Sequence, residues 1–213
     1  MDTKLGSLGT SPPPHSLGKR EFKYSSNSDT KALVLIAIFS VIYGVTSLPI
    51  FSPAIFPETS IKLSLAILTL GAIMTGPIGG FAIGFIGGVI TDLFAGWGVW
   101  LSWIFASGLV GMLLGCFSVL TNWVTVRDGT FTTKHKLLLI AMSFVASSFM
   151  FVAGGLDYYL YAEPIKKLMI QCGIAAVTHV GVISTLGIIV VNAYAKRTRA
   201  LLYPKFVEVS DDD

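Results

Sequence analysis

The sequence predicts an all-α integral membrane protein, a bundle of six short transmembrane helices. Hydrophobic residues make up 53% of the 213-residue chain and charged residues only 13%, about half the ~25% that is usual in soluble domains. The apolar residues are gathered into segments, and one bilayer crossing takes about 20 such residues. Glycine and proline break the longest of these segments. These three observations place the chain in a lipid bilayer.

The predicted elements follow from the apolar runs and their breaks. Residues 1–31 are polar and proline-containing and predict a disordered cytoplasmic tail. The apolar run 61–95 is too long for one crossing, and Gly76-Pro77 divides it because proline breaks a helix interior. The membrane domain, residues 32–195, therefore has six spans, and residues 196–213 form a cytoplasmic C-terminal tail. The spans are about 32–48, 61–75, 77–95, 99–121, 137–155 and 168–194.

The distribution of basic residues supports six spans and predicts their orientation. With six spans, twelve of the fifteen Lys and Arg residues fall on one side of the membrane, in the two tails and the 122–136 loop. Basic residues are retained on the cytoplasmic side, so we expect both termini in the cytoplasm. A single span over 61–95 would remove most of this asymmetry. The outward loops are then 49–60, 95–99 and 156–167.

Small residues recur at helical spacing in the middle of the chain. Gly76, Gly80, Gly84 and Gly88 share one helix face, and the next position in this register is Asp92. A glycine face lets another helix or a ligand approach the backbone closely, so both interpretations stay open. An acid at the end of an apolar run indicates a functional site, although Asp92 could instead cap a helix end at the interface.

Aromatic residues gather near the predicted outer surface. Trp97, Trp100 and Trp103 follow Asp92, and Tyr158 and Tyr161 lie in the last outward loop. Tryptophan and tyrosine commonly anchor a protein at the membrane interface. Each of these residues is therefore either an anchor or a surface on which a ligand stacks.

Catalytic motifs are missing from the sequence. The chain has no GxxxxGK[ST] phosphate-binding loop, so it does not hydrolyse ATP by itself, and it has no HExxH or paired cysteine–histidine spacing. His179 could pair with Ser107 on paper, but Ser107 lies on a small-residue helix face. His179 is instead either a hydrogen-bonded helix contact or a ligand-binding group. We predict no enzyme, no cofactor, no metal and, without basic–aromatic runs, no nucleic acid partner.

The order of the motifs resembles the substrate-binding S components of energy-coupling factor (ECF) vitamin transporters. It is most similar to the riboflavin-type subfamily, which also includes a cobalamin-binding member. The resemblance covers about residues 32–195, and its specific part is residues 57–115. Gly88 stands where many relatives have histidine, and Glu58 where many have asparagine. The matching residues are a proline-rich loop, Glu58-Thr59-Ser60-Ile61, the GPxxGFxxGxIGxxxxD pattern of 76–92, the tryptophan-rich turn of 97–103 and the SGxxGxxLG pattern of 107–115.

This resemblance implies a vitamin-capturing subunit that works with an EcfT-type membrane scaffold subunit and two cytoplasmic ATPase subunits, and that topples in the bilayer to deliver its ligand. In the family, small residues of the first helix contact the scaffold, which here implies Ala37, Ser40 and Gly44. The substrate-binding residues are then expected to be Glu58, Thr59, Asp92, Trp97, Trp100, Trp103, Tyr158, Tyr161 and His179.

Two further questions stay open on the residues alone. Few charges and many aromatic and glycine surfaces suit a large, flat, mostly neutral ligand, which favours cobalamin slightly over riboflavin or another vitamin. The alternatives of a different class are a structural or assembly membrane protein, and a self-sufficient channel or carrier. A carrier usually has inverted repeats and charged groups in mid-membrane, which this chain lacks beyond His179.

Overall fold

The computed structural model describes residues 26–56, 59–96 and 98–204. The predicted tail segments 1–25 and 205–213, together with Glu58 and Trp97, lie outside the described residues. A two-stranded antiparallel hairpin lies between the first two helices, and a π-helical turn, Ile183–Gly187, joins the last two helices. The elements are α1 (Ser26–Thr46), β1 (Ala54–Phe56), β2 (Thr59–Ser60), α2 (Leu65–Ala95), α3 (Leu101–Leu120), α4 (Val124–Asp128), α5 (Thr133–Tyr161), α6 (Ile165–Val182) and α7 (Ile188–Leu202).

The described residues contain four helices that are long and apolar enough to cross a membrane, namely α2, α3, α5 and the continuous α6–α7 helix, and α1 adds a shorter apolar helix. The helical membrane architecture is confirmed, with a short hairpin where we predicted only a loop, and the count of six crossings stays a prediction. Several helices exceed their predicted bounds: α1 begins at Ser26, α5 runs on to Tyr161 and α7 ends at Leu202. No proline follows the apolar part of α5 until Pro164, so the helix continues to Tyr161, where we expected a loop.

Helix α2 turns back on itself at Gly76. This residue has φ 79° and ψ −171°, which is not a helical conformation. A methyl group on Gly71 would lie 3.0 Å from Ile83 Cδ1, and one on Gly80 would lie 2.9 Å from Ala72 Cβ. In a straight helix these pairs would be separated by roughly 12 to 18 Å, at about 1.5 Å per residue. The break predicted at Gly76-Pro77 is therefore present, and the two halves pack against each other.

The glycine face of α2 packs against α3. A methyl group on Gly80 would meet the carbonyl oxygen of Gly111, and one on Gly84 would meet that of Ser107. A side chain at either glycine would push the two backbones apart, so the close approach depends on glycine. Of the two interpretations that the sequence left open for these glycines, the structure supports helix packing.

Small residues of α1 pack against α2 of the same chain. Ser40 is buried, and its hydroxyl donates to the carbonyl of Ile36 (2.7 Å). A methyl group on Gly44 would lie 2.8 Å from an α2 carbonyl oxygen, and Thr91 Oγ1 donates to the Gly44 carbonyl (3.0 Å). Ala37 is exposed. The predicted scaffold contact stays a prediction for Ala37, whereas Ser40 and Gly44 are covered by α2 and offer no free surface.

Helices α5 and α6 run antiparallel and form the other wall of the bundle. Ser143 Oγ and Ser184 Oγ are 3.2 Å apart, and Cys172 Sγ donates to the carbonyl of Met150 (3.1 Å). Ser143 and Met150 belong to one buried face of α5 that also includes Ala146 and Ala153. The first contact joins α5 to the π-helical turn after α6 and the second joins α5 to α6 itself, so together they fix which turns lie side by side.

Candidate functional site

A cavity of about 240 Å³ lies where α2 ends, α3 begins, and α5 and α6 meet. Two tryptophans, three acidic residues, two lysines and one histidine line it, together with a serine, a glutamine and three apolar side chains. This is the end of the bundle that the sequence predicts to face outward. Concave sites with a mainly apolar wall and a few placed polar groups are typical of small-molecule binding.

Asp92 occupies the last turn of α2 and lines the cavity. The backbone N–H of Trp100 donates to Asp92 Oδ2 (3.0 Å), which holds the turn that leads into α3. Lys62 lies close enough for its charge to attract the carboxylate. Asp92 therefore both accepts a hydrogen bond from nearby backbone and forms part of the cavity wall, so its two interpretations are compatible.

Asp157 is a buried carboxylate that our sequence analysis did not include among the site residues. It is 1% exposed, and it accepts hydrogen bonds from the Ser102 hydroxyl and from Trp103 Nε1, the latter at 2.5 Å. These two bonds tie the end of α5 to the start of α3. The sequence pattern could have indicated Asp157, because it is an acid at the end of an apolar span, as Asp92 is. We predicted a loop at this position instead.

The aromatic residues divide between the cavity and its surroundings. Trp100 and Trp103 line the cavity, and the Trp100 ring lies 5.0 Å from that of Tyr161, centroid to centroid, at a tilt of 40°. Tyr158 is 48% exposed and packs edge-on against Tyr159, with centroids 5.4 Å apart. Stacking on a ligand is thus open to the two tryptophans, whereas Tyr158 and Tyr161 are not among the cavity-lining residues, and their role as anchors or ligand surfaces stays a prediction.

Most of the charged lining was missed from the sequence. Lys167 Nζ and Glu163 Oε2 form an ion pair at 3.2 Å, one helical turn apart across the start of α6. Lys62 lies beyond the hairpin, just before α2. We could have found the Glu163–Lys167 pair by its i, i+4 spacing, whereas nothing local indicated that Lys62 reaches the cavity. The other lining residues that we did not predict are Ser60, Met150, Leu168, Gln171 and Ala175.

His179 lines the cavity from α6 and is 4% exposed. Its Nδ1 atom is buried without a hydrogen-bond partner, so it is not the hydrogen-bonded helix contact that was one of our two interpretations. Thr59 lies in β2 and pairs with Phe56 of β1, and only its backbone is described. In the parts of the chain that are described, no group of three or more His, Cys, Asp or Glu residues is arranged to hold a metal ion.

The structure thus defines a helical membrane bundle with an aromatic-lined, partly charged cavity at one end. The family model of the ECF-type riboflavin transporter S component matches residues 27–196. The chain belongs to this family. Its members are substrate-binding subunits of transporters and not enzymes themselves, and the resemblance to S components is therefore confirmed.

Curated relatives agree with this assignment. A UPF0397 protein of Aliivibrio fischeri is 40% identical over 174 residues, which is 81% of this chain and 94% of that protein. A UPF0397 protein of Vibrio atlanticus is 37% identical over 81% of this chain and 95% of its own length. One from Clostridium perfringens is 30% identical over 78% of this chain and 89% of its own length. No solved structure matches the chain.

Proposed function

We propose that this protein is the substrate-capturing S component of an ECF-type importer and binds a vitamin from outside the cell. The observation that carries the proposal is the cavity between Trp100, Trp103, Asp92 and Asp157 in a chain of the S-component family. Two indole rings provide stacking surfaces, and the carboxylates provide acceptors that fix orientation. The cavity opens at the end of the bundle where a substrate would arrive from outside.

We propose riboflavin as the vitamin, in place of the cobalamin that composition favours. The cavity, about 240 Å³, lies just below the range of ~300–1,000 Å³ that is usual for small-molecule sites. A flavin is flat and compact and suits tryptophan walls, whereas the corrin ring and nucleotide loop of cobalamin are several times bulkier. The name of the matching family model points the same way.

We further propose six crossings with both termini in the cytoplasm. The turn at Gly76 supports this topology because it returns the chain across the bundle within α2. Twelve of the fifteen basic residues then lie on the cytoplasmic side. Energy for transport comes from two ATPase subunits held by the membrane scaffold subunit, and the exposed face of α1 around Ala37 is available for that contact.

The rival proposal is a structural or assembly protein whose glycines serve partner helices. The glycine face of α2 was the main argument for that function, and it is weakened because Gly80 and Gly84 already pack against α3 of the same chain. A protein of that kind also has no need for Lys62, Asp92 and Glu163 around one cavity. Copurification with the scaffold and ATPase subunits distinguishes the two.

Isothermal titration of the detergent-purified full chain with riboflavin and, separately, with cobalamin tests the proposal. We expect one-to-one binding of riboflavin and none of cobalamin. Trp100→Ala removes a stacking surface worth about 0.5–1.5 kcal/mol beyond buried area, so we expect binding to weaken by about tenfold. Tyr159→Ala is the matched control, because Tyr159 is 83% exposed and lies outside the cavity. Equal binding by both variants would contradict the proposed site.

A further inference from the structure

The cavity wall includes a polar atom that the protein itself does not satisfy. Three buried side-chain atoms in the described segments have no hydrogen-bond partner: Ser52 Oγ, Ser147 Oγ and His179 Nδ1. His179 lines the cavity, and Ser147 is 1% exposed on the buried face of α5. Buried polar groups are nearly always paired in native proteins. An unpaired one at a cavity wall is a place where a ligand completes the hydrogen bonding.

Ser147 lies at the same depth in the bundle as His179. Two contacts fix the antiparallel register of α5 against α6 and the π-helical turn that continues it, one between Ser143 and Ser184 and one between Cys172 and Met150. Ser147 falls between Ser143 and Met150, which places it beside the turn of α6 that contains His179. It is also one turn deeper along α5 than Met150, which lines the cavity. The two unsatisfied groups therefore lie at a similar depth, His179 in the cavity wall and Ser147 next to the cavity-lining part of α5.

The cavity wall combines charged and uncharged polar groups. Its charged groups are the carboxylates of Asp92, Asp157 and Glu163 and the ammonium groups of Lys62 and Lys167. The Ser147 hydroxyl and the His179 imidazole can together donate and accept hydrogen bonds. Such a pair suits an uncharged edge that presents one donor beside one acceptor.

We propose that His179 and Ser147 determine specificity by binding the polar edge of a compact, uncharged heterocycle that enters the cavity edge first. That edge presents an N–H donor beside a C=O acceptor. The Nδ1 atom of neutral His179 accepts from the N–H, and the Ser147 hydroxyl donates to the carbonyl. The inference rests on the proposed function. In riboflavin the matching edge is N3–H with its two flanking carbonyls, and the ribityl chain then extends towards Asp92 and Asp157.

Titration of the full-length protein with riboflavin and with N3-methylriboflavin tests this inference. The methyl group removes the donor and adds bulk at the edge that we expect to be innermost. On the unmodified protein we expect the methylated flavin to bind at least tenfold more weakly than riboflavin. His179→Ala should weaken riboflavin binding at least tenfold and reduce the difference between the two probes. His179→Asn keeps an acceptor near the position of Nδ1 and should restore part of the loss.

Matched serines distinguish ligand contact from structural damage. Ser148→Ala is the control, because the Ser148 hydroxyl is exposed and already donates to the Val145 carbonyl (2.6 Å). We expect Ser147→Ala to weaken riboflavin binding severalfold while the melting temperature of the ligand-free protein stays the same or rises, because an unsatisfied hydroxyl is removed. Ser148→Ala should change neither quantity.

The outcomes separate this inference from the proposed function. Equal binding of riboflavin and N3-methylriboflavin to the unmodified protein overturns the edge-first orientation and leaves the proposed function intact. Tight binding of cobalamin in place of riboflavin keeps the capturing role and overturns the compact-heterocycle inference. Absence of binding by either vitamin overturns both.

Discussion

Replacing Asp157 should loosen the connection between α3 and α5. In Asp157→Ala, the Ser102 hydroxyl and the Trp103 indole N–H lose their acceptor inside the bundle. A buried donor left without a partner costs about 1–3 kcal/mol, so we expect a loss of roughly 2–6 kcal/mol if both stay unpaired. Asp157→Asn keeps the shape and one acceptor oxygen, so it should lose about half as much.

Equilibrium unfolding of the detergent-purified protein measures this loss. A double-mutant cycle with Trp103→Phe isolates the indole bond, and we expect a coupling energy of about 0.5–3 kcal/mol because the two residues are in direct contact. Glu163→Gln is the acidic control: its ion pair with Lys167 is partly exposed, and exposed i, i+4 pairs contribute only about 0.3–0.5 kcal/mol. If Asp157→Ala unfolds like the unmodified protein, the carboxylate does not hold the two helices together.

Three further predictions concern the glycines and the first helix. Gly84→Val should prevent α2 from packing on α3, so the variant should no longer purify as a monodisperse protein. Gly155→Val should purify normally, because a methyl group on Gly155 meets nothing within 4 Å. The reverse result would contradict the packing of α2 on α3. Gly76→Ala should lower the free energy of unfolding by about 1–3 kcal/mol, because the backbone conformation of Gly76 is nearly exclusive to glycine. A methyl group there would also approach the Trp123 ring to 2.8 Å. An unchanged unfolding curve would contradict the turn at Gly76. Ala37→Trp should reduce copurification of the scaffold subunit but leave riboflavin affinity unchanged, and intact copurification would exclude this face of α1.

The helices and the break in α2 could be predicted because they depend on local sequence. Gly76-Pro77 combines a residue that tolerates unusual backbone angles with one that cannot continue a helix. The glycine spacing also indicated close packing, but not which helix would be the partner. Helix ends were harder to predict, because polar residues such as Asp157 and Tyr161 are compatible with both a helix and a loop.

The candidate site was only partly predictable because its residues come from distant parts of the chain. Asp92, Trp100 and Trp103 are close in sequence and followed a readable pattern. Lys62 and Lys167 reach the same cavity only through the packing of α2 and α6, which no local pattern encodes. The unsatisfied state of His179 is likewise a property of the packed bundle, since the sequence shows an isolated histidine in an apolar span.

Riboflavin fluorescence offers the most direct test of the central claim. An isoalloxazine ring stacked between Trp100 and Trp103 should lose its emission, so titrating the purified protein into riboflavin should quench the signal saturably at one flavin per chain. We expect excess unlabelled cobalamin to leave this quenching unchanged. Unquenched emission at protein concentrations well above those of the flavin would contradict the account, because the cavity would then not be a flavin site.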